Sequence, residues 1–195
     1  MKTSATAKPQ TRQRAAVTEP EAAYVVEARS QRSRSRALSI EINGSALRYE
    51  PPKANVFARV VHGASPLQLL ETERTGVDAV FLSDMAQRMD VSYSYLAETL
   101  GISKATAARK LANKDKIDGA AAIALARLLA IAQDMVDDST SPDAKGFDTA
   151  KWLGQWIERP QASLGGRKPA ELLDTPTGVS MVIKLLGAIR SGAYQ

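Results

Sequence analysis

Lys104, Thr106, Arg109 and Lys110 place four hydrogen-bond donors within seven residues, and no acid falls between Ser103 and Asp115. Donors of this kind on one side of a helix suit phosphate oxygens and base edges, whereas a merely solvated face usually mixes signs. Other residue types narrow the chemistry. There is no cysteine, and His62 is the single histidine. Disulfides, thiolate nucleophiles, thiolate metal sites and any site needing two imidazoles are therefore excluded. No nucleophile elbow and no positioned carboxylate pair occurs, so neither a catalytic residue nor a metal or cofactor site is expected. Asp137-Asp138 lies in linker-like sequence and reads as solvated. Leu164-Gly165-Gly166-Arg167-Lys168 could gather backbone amides and two cations around a phosphate. It matches neither the P-loop nor the dinucleotide fingerprint, and no strand precedes it, so a tight structural turn is the simpler reading.

The four donors must be carried by Ser92 to Leu111, SYSYLAETLGISKATAARKL. Ser92 can cap a helix running to Leu100. Gly101 ends it by reaching positive φ without a Cβ penalty. Ser103 can cap a second helix from Lys104 to Ala112. Leu96, Leu100, Ile102, Ala107 and Leu111 would face inward, and small Ala97 would let the two helices approach closely. The arrangement fits a helix-turn-helix, whose second helix can enter the DNA major groove. A plain αα-hairpin has the same spacing; the basic outer face favours DNA, with Ser103, Lys104, Thr106, Arg109 and Lys110 as the contacts. Ala105, Ala107 and Ala108 leave few side chains for reading bases.

The chain has 195 residues, 44% of them hydrophobic, and a net charge of +5. That charge is localised: residues 1–36 hold eight Lys/Arg against three Glu, and the remainder holds 18 of each sign. The sequence up to about Arg36 lacks hydrophobic periodicity and ends in an Arg/Ser repeat, so 1–60 is expected to be a disordered basic tail, either a nucleic-acid arm or a solubilising leader. It has no apolar stretch of the secretory kind. Within it, Leu38 to Tyr49 alternates around Asn43-Gly44, which predicts a short β-hairpin over 38–49.

Helices follow from Ser65-Pro66 onward. Val77, Phe81, Met85 and Met89, with Leu82, form a core stripe. A charged turn covers Asn113 to Gly119. The run after Gly119 is apolar almost all round, the pattern of a buried central helix too short to span a bilayer. Residues 137–146 read as a linker between a helix-turn-helix domain at 65–136 and a small three-helix domain at 146–195. Asp148 can cap a helix through Arg159, with Trp152 and Trp156 as interface anchors or core; Thr175-Pro176 opens the last helix. Gly187 inside that helix costs about 1 kcal/mol against Ala and predicts a close neighbour. The expected class is all-α.

The run W-L-x-x-W-I-x-x-P, then S-L-G-G-R-K-P-A-E-L-L-D-T-P-T-G, closely resembles the toxin-binding domain of Xre/MbcA/ParS-type antitoxins. It is carried by Trp152, Leu153, Pro160, Leu164, Gly165, Gly166, Pro169, Leu172, Leu173, Thr175, Gly178, Val182, Leu186, Ile189 and Gly192. Leu100-Gly101-Ile102-Ser103, Thr106, Arg109-Lys110 and Arg127-Leu128-Leu129 are similar to that family's Xre-like helix-turn-helix. The resemblance implies a bacterial, cytoplasmic antitoxin that occludes the active site of a cognate RES-type, NAD-consuming toxin, forms dimers or higher oligomers, and represses its own operon by binding operator DNA. It further implies toxin contacts at Trp152, Trp156, Gly165, Gly166, Arg167, Lys168, Arg190 and Tyr194, the last two plugging the catalytic cleft. A lone repressor whose C-terminal unit only dimerises is the alternative. No membrane association is expected.

Overall fold

The computed structural model describes residues 44–192. Among them are eight α-helices: α1 (Ala54–Gly63), α2 (Pro66–Thr75), α3 (Ala79–Met89), α4 (Tyr93–Thr99), α5 (Lys104–Ala112), α6 (Gly119–Asp137), α7 (Thr149–Trp156) and α8 (Pro176–Arg190). A two-stranded antiparallel sheet joins β1 (Val77–Asp78) to β2 (Lys116–Ile117), pairing Val77 with Ile117 and Asp78 with Lys116. The all-α class therefore holds, with a small sheet added whose second strand lies in what reads in the sequence as a charged turn.

Local chemistry sets the boundaries. Ser65 and Gln68 form a reciprocal capping box, the Gln68 N–H donating to Ser65 Oγ and the Ser65 N–H to Gln68 Oε1. Asp78, Ser92, Ser103, Asp118, Asp148 and Thr175 each accept a backbone N–H at the start of the following helix. Gly76 turns the chain at φ +74°, and a Cβ there would lie 2.5 Å from the Ile117 carbonyl oxygen. Only glycine lets α2 end this close to β2.

α6 is the centre. By length and composition it could cross a bilayer, yet α1, α2, α7 and α8 all pack on it, and Leu125, Leu128 and Leu129 are at most 1% exposed. It is the core helix, as its apolar circumference predicts.

Several sequence expectations are corrected. The basic tail does not extend to residue 60: α1 buries Ala54, Phe57, Ala58 and Val61, and Tyr49 packs edge-on against Phe57 and Phe81 with centroids 5.6 and 5.1 Å apart. The second arm of the hairpin is not a strand. Gly44 to Glu50 is irregular, and the Leu47 N–H goes instead to the buried Thr72 Oγ1 at 2.8 Å. The first arm, like residues 1–43 generally, lies outside the described residues. α7 stops at Trp156 rather than Arg159, the chain turning through Glu158 and Arg159 before Pro160. Gly187 has no close neighbour; nothing lies within 4 Å of where its Cβ would be.

Candidate functional site

α4 and α5 form the expected pair around Gly101, which sits at φ +74°. Leu96, Ala97 and Ala107 are fully buried at their junction, and the Tyr93 hydroxyl donates to the Ala107 carbonyl at 2.9 Å, fixing α5 against α4. Burial raises the Tyr93 phenol above its ordinary value.

The outer face of α5 differs in detail from its sequence pattern. Ser103 is the cap, accepting the Thr106 N–H, while its hydroxyl donates to Thr106 Oγ1 at 2.9 Å. Lys104 lies 3.3 Å from Glu98 of α4, an acid that spacing along α5 alone does not reveal. Lys110 folds back to donate to the Lys116 carbonyl and sits 3.6 Å from Asp115. The Asp115 carboxyl is held below its usual range, first by the Lys116 N–H and then by Lys110. Arg109 is exposed and makes no ion pair among the described residues. Of the five residues expected to meet DNA, all lie on or at the start of α5, but Lys104 and Lys110 already have partners.

The C-terminal candidates divide more sharply. Trp156 is core at 5% exposure. Trp152 is half-buried, stacked on Trp156 at 6.0 Å and tilted against Phe147 at 6.4 Å. With Met135, Val136 and the 139–144 connection, Phe147 and Trp152 line an apolar groove of about 280 Å³. Phe147, 43% exposed, lines this groove and is missed by sequence reasoning because it stands directly after the linker-like stretch 137–146, outside any apolar stripe.

The Gly165-Gly166 loop is a closed turn. Both glycines have positive φ, and the Leu164 and Gly166 N–H groups both donate to the Gln161 carbonyl. Those amides serve the loop, not a phosphate. Lys168 is 3.1 Å from Glu158, whose other oxygen accepts from the Tyr95 hydroxyl of α4. Arg167 is exposed and without an ion pair among the described residues. Arg190 is engaged by two carboxylates at the end of α6, Asp134 and Asp138, each 2.9 Å away; the Asp138 hydrogen bond heads the causes that raise its guanidinium pKa. It is a clasp rather than a free plug. Tyr194 lies outside the described residues.

Comparison with known proteins supplies the rest. Residues 68–133 match the antitoxin Xre-like helix-turn-helix domain, and residues 144–192 match the antitoxin Xre/MbcA/ParS C-terminal toxin-binding domain. A Prs ADP-ribosylating antitoxin from Sphingobium sp. (strain YBL2) is 32% identical over 139 residues, which is 70% of this chain and 86% of that protein. The chain belongs to the Xre/MbcA/ParS antitoxins. Its α4–α5 pair is thus an antitoxin helix-turn-helix, and α7 to α8 form the toxin-binding domain of an antitoxin. In this antitoxin the two are joined by packing as well as by sequence. A Cβ on Gly101 would stand 3.2 Å from the Asp174 carbonyl oxygen, and one on Gly154 of α7 would stand 2.3 Å from the Met89 carbonyl oxygen of α3.

Proposed function

We propose that this antitoxin neutralises a cognate RES-type toxin by covering its NAD-binding active site, and represses its own operon through α4 and α5. The observation that carries the proposal is the half-open aromatic groove of Phe147, Trp152 and Met135 on and beside the segment matching the toxin-binding domain. Large aromatic side chains lose few rotamers on docking and dominate interface energies. The name of the Sphingobium relative, Prs ADP-ribosylating antitoxin, supports an NAD-consuming partner, because ADP-ribose transfer takes that group from NAD. The proposed setting is the bacterial cytoplasm, with the antitoxin as a dimer or higher oligomer in the toxin complex.

Arg190 has a different part here from the one its sequence position suggests. Its clasp to Asp134 and Asp138 anchors the end of α8, which leaves Tyr194 as the proposed contact in the toxin's cleft. Deleting residues 193–195 leaves the clasp intact. The truncated antitoxin should melt at the same temperature and bind the toxin through the aromatic groove, yet fail to stop NAD consumption. Full inhibition by the truncated protein rules the plug out; loss of binding on Phe147→Ala and Trp152→Ala tests the groove. A RES-type reading frame beside this one separates toxin neutralisation from the lone repressor.

A further inference from the structure

The turn from Asn113 to Lys116 treats its three charged side chains differently. Asp115 is exposed but engaged, its Oδ1 accepting the Lys116 N–H at 2.7 Å and its Oδ2 lying 3.6 Å from the Lys110 ammonium. Lys110 also donates to the Lys116 carbonyl. Lys110 and Asp115 therefore cancel one another and pin the turn to the end of α5. Lys114 and Lys116 are both exposed, and neither side chain makes a hydrogen bond or ion pair among the described residues.

The backbone adds a second observation. Lys114 sits at φ +52°, where glycine or asparagine is the unstrained choice. A cation held there forgoes the residue that the turn prefers, and such outliers point to function. Arg109, on the last turn of α5, is close enough for its charge to act on Asp115. Three uncompensated cations thus surround one corner of the helix-turn-helix. The rest of the exposed face of α5 is Ala105, Ala108 and Ala112 together with Lys104, which Glu98 holds. Little on that face reads bases, so the attraction must come from the nucleic-acid backbone.

Resting on the DNA-binding reading above, we propose that Arg109, Lys114 and Lys116 form a clamp on the phosphates of duplex DNA, with Lys110 and Asp115 as the staple that presents it. The clamp gives affinity and register with little sequence discrimination.

The test measures binding of the full chain by fluorescence anisotropy over a series of salt concentrations. The probes are the duplex immediately upstream of the reading frame and a scrambled duplex of equal length. Each phosphate that a variant no longer neutralises should make the slope of log affinity against log salt shallower by about 0.9. Lys114→Ala and Lys116→Ala should each do so on both duplexes, and the double variant by about twice as much. Lys114→Gly removes the ammonium while suiting the positive φ, so an equal change in slope with an undiminished melting temperature separates charge from backbone. Lys145→Ala, at an exposed lysine far along the chain in the 137–146 linker, should leave the slope alone. Lysine variants that bind with the wild-type slope overturn the clamp and leave the DNA-binding reading standing. Weakening confined to the upstream duplex also overturns it, since these lysines would then be reading sequence. No binding of either duplex by the wild-type chain removes both.

Discussion

Three glycines on the C-terminal helices show how one residue type carries opposite consequences. A Cβ on Gly178 would stand 1.9 Å from the Leu172 carbonyl oxygen, and one on Gly154 2.3 Å from that of Met89. Backbone cannot step aside as a flexible side chain can, so Gly178→Ala and Gly154→Ala should each cost about 1–3 kcal/mol by overpacking. At Gly187 the same methyl meets nothing within 4 Å, and Gly187→Ala should stabilise the fold by about 1 kcal/mol. Urea midpoints of the three variants check this: one should rise and two should fall. The sequence reveals that a helical glycine is costly, but the neighbour that would justify it comes from another segment, which is why Gly187 and Gly154 look alike by inspection. The same holds for Lys104 and Lys110, whose partners Glu98 and Lys116 become neighbours only once α4 turns into α5 and the chain enters β2. Tyr49 gives a pH-dependent expectation. Burial, then its hydrogen bond to Asp84, raises the phenol well above its ordinary value. The folded state thus favours the neutral form. That stabilisation is whole below the unfolded value of about 10 and is lost as pH rises toward the folded one. Denaturant titrations above that pH should show falling stability, and Tyr49→Phe should make the fall shallower, leaving the contribution of Tyr93.

Among the elements, those with strong caps are legible in the sequence and those without are not. α2, α5 and α8 begin where Ser65, Ser103 and Thr175 announce them. α1 starts after Lys53, which makes no side-chain cap, and follows two prolines, so its spacing of Ala54, Phe57, Ala58 and Val61 reads as part of the tail. The sheet of two residues per strand has no periodicity to detect, because alternation needs a longer run. The aromatic groove is half legible: Trp152 stands in a recognisable pattern, whereas Phe147 matters only because the linker folds it onto Trp152. α1 is nevertheless a structural member, packed along α6 and tied to it by Arg59 on Asp137. A fragment beginning at residue 65 should therefore lose cooperative unfolding. A fragment of residues 143–195 should fail to fold alone, since Leu153, Trp156 and Leu186 would lose the α3 and α6 surfaces that bury them. Circular dichroism melts decide both; a sharp transition in the shorter fragment would show that the C-terminal segment carries its own core.

Taken whole, the molecule is less modular than its two matched segments suggest. The described residues form one compact unit, in which Tyr95, Glu158 and Lys168 run from α4 to the Gly165-Gly166 loop and Asp174 abuts the Gly101 turn. The close passage of Gly154 over Met89 bears on how such chains can be recombined. A hybrid that splices the first part of one relative to the last part of another, joined between 139 and 146, exchanges no loose linker; it remakes the whole seam from α3 to α8. It will be most stable where the incoming segment offers a glycine opposite the backbone of residue 89, and an acid able to take the tyrosine at 95. Partner preference can then be transplanted by carrying α3 and α4 along with the C-terminal half, whereas a cut at the apparent boundary yields a mismatched chain before any partner is met.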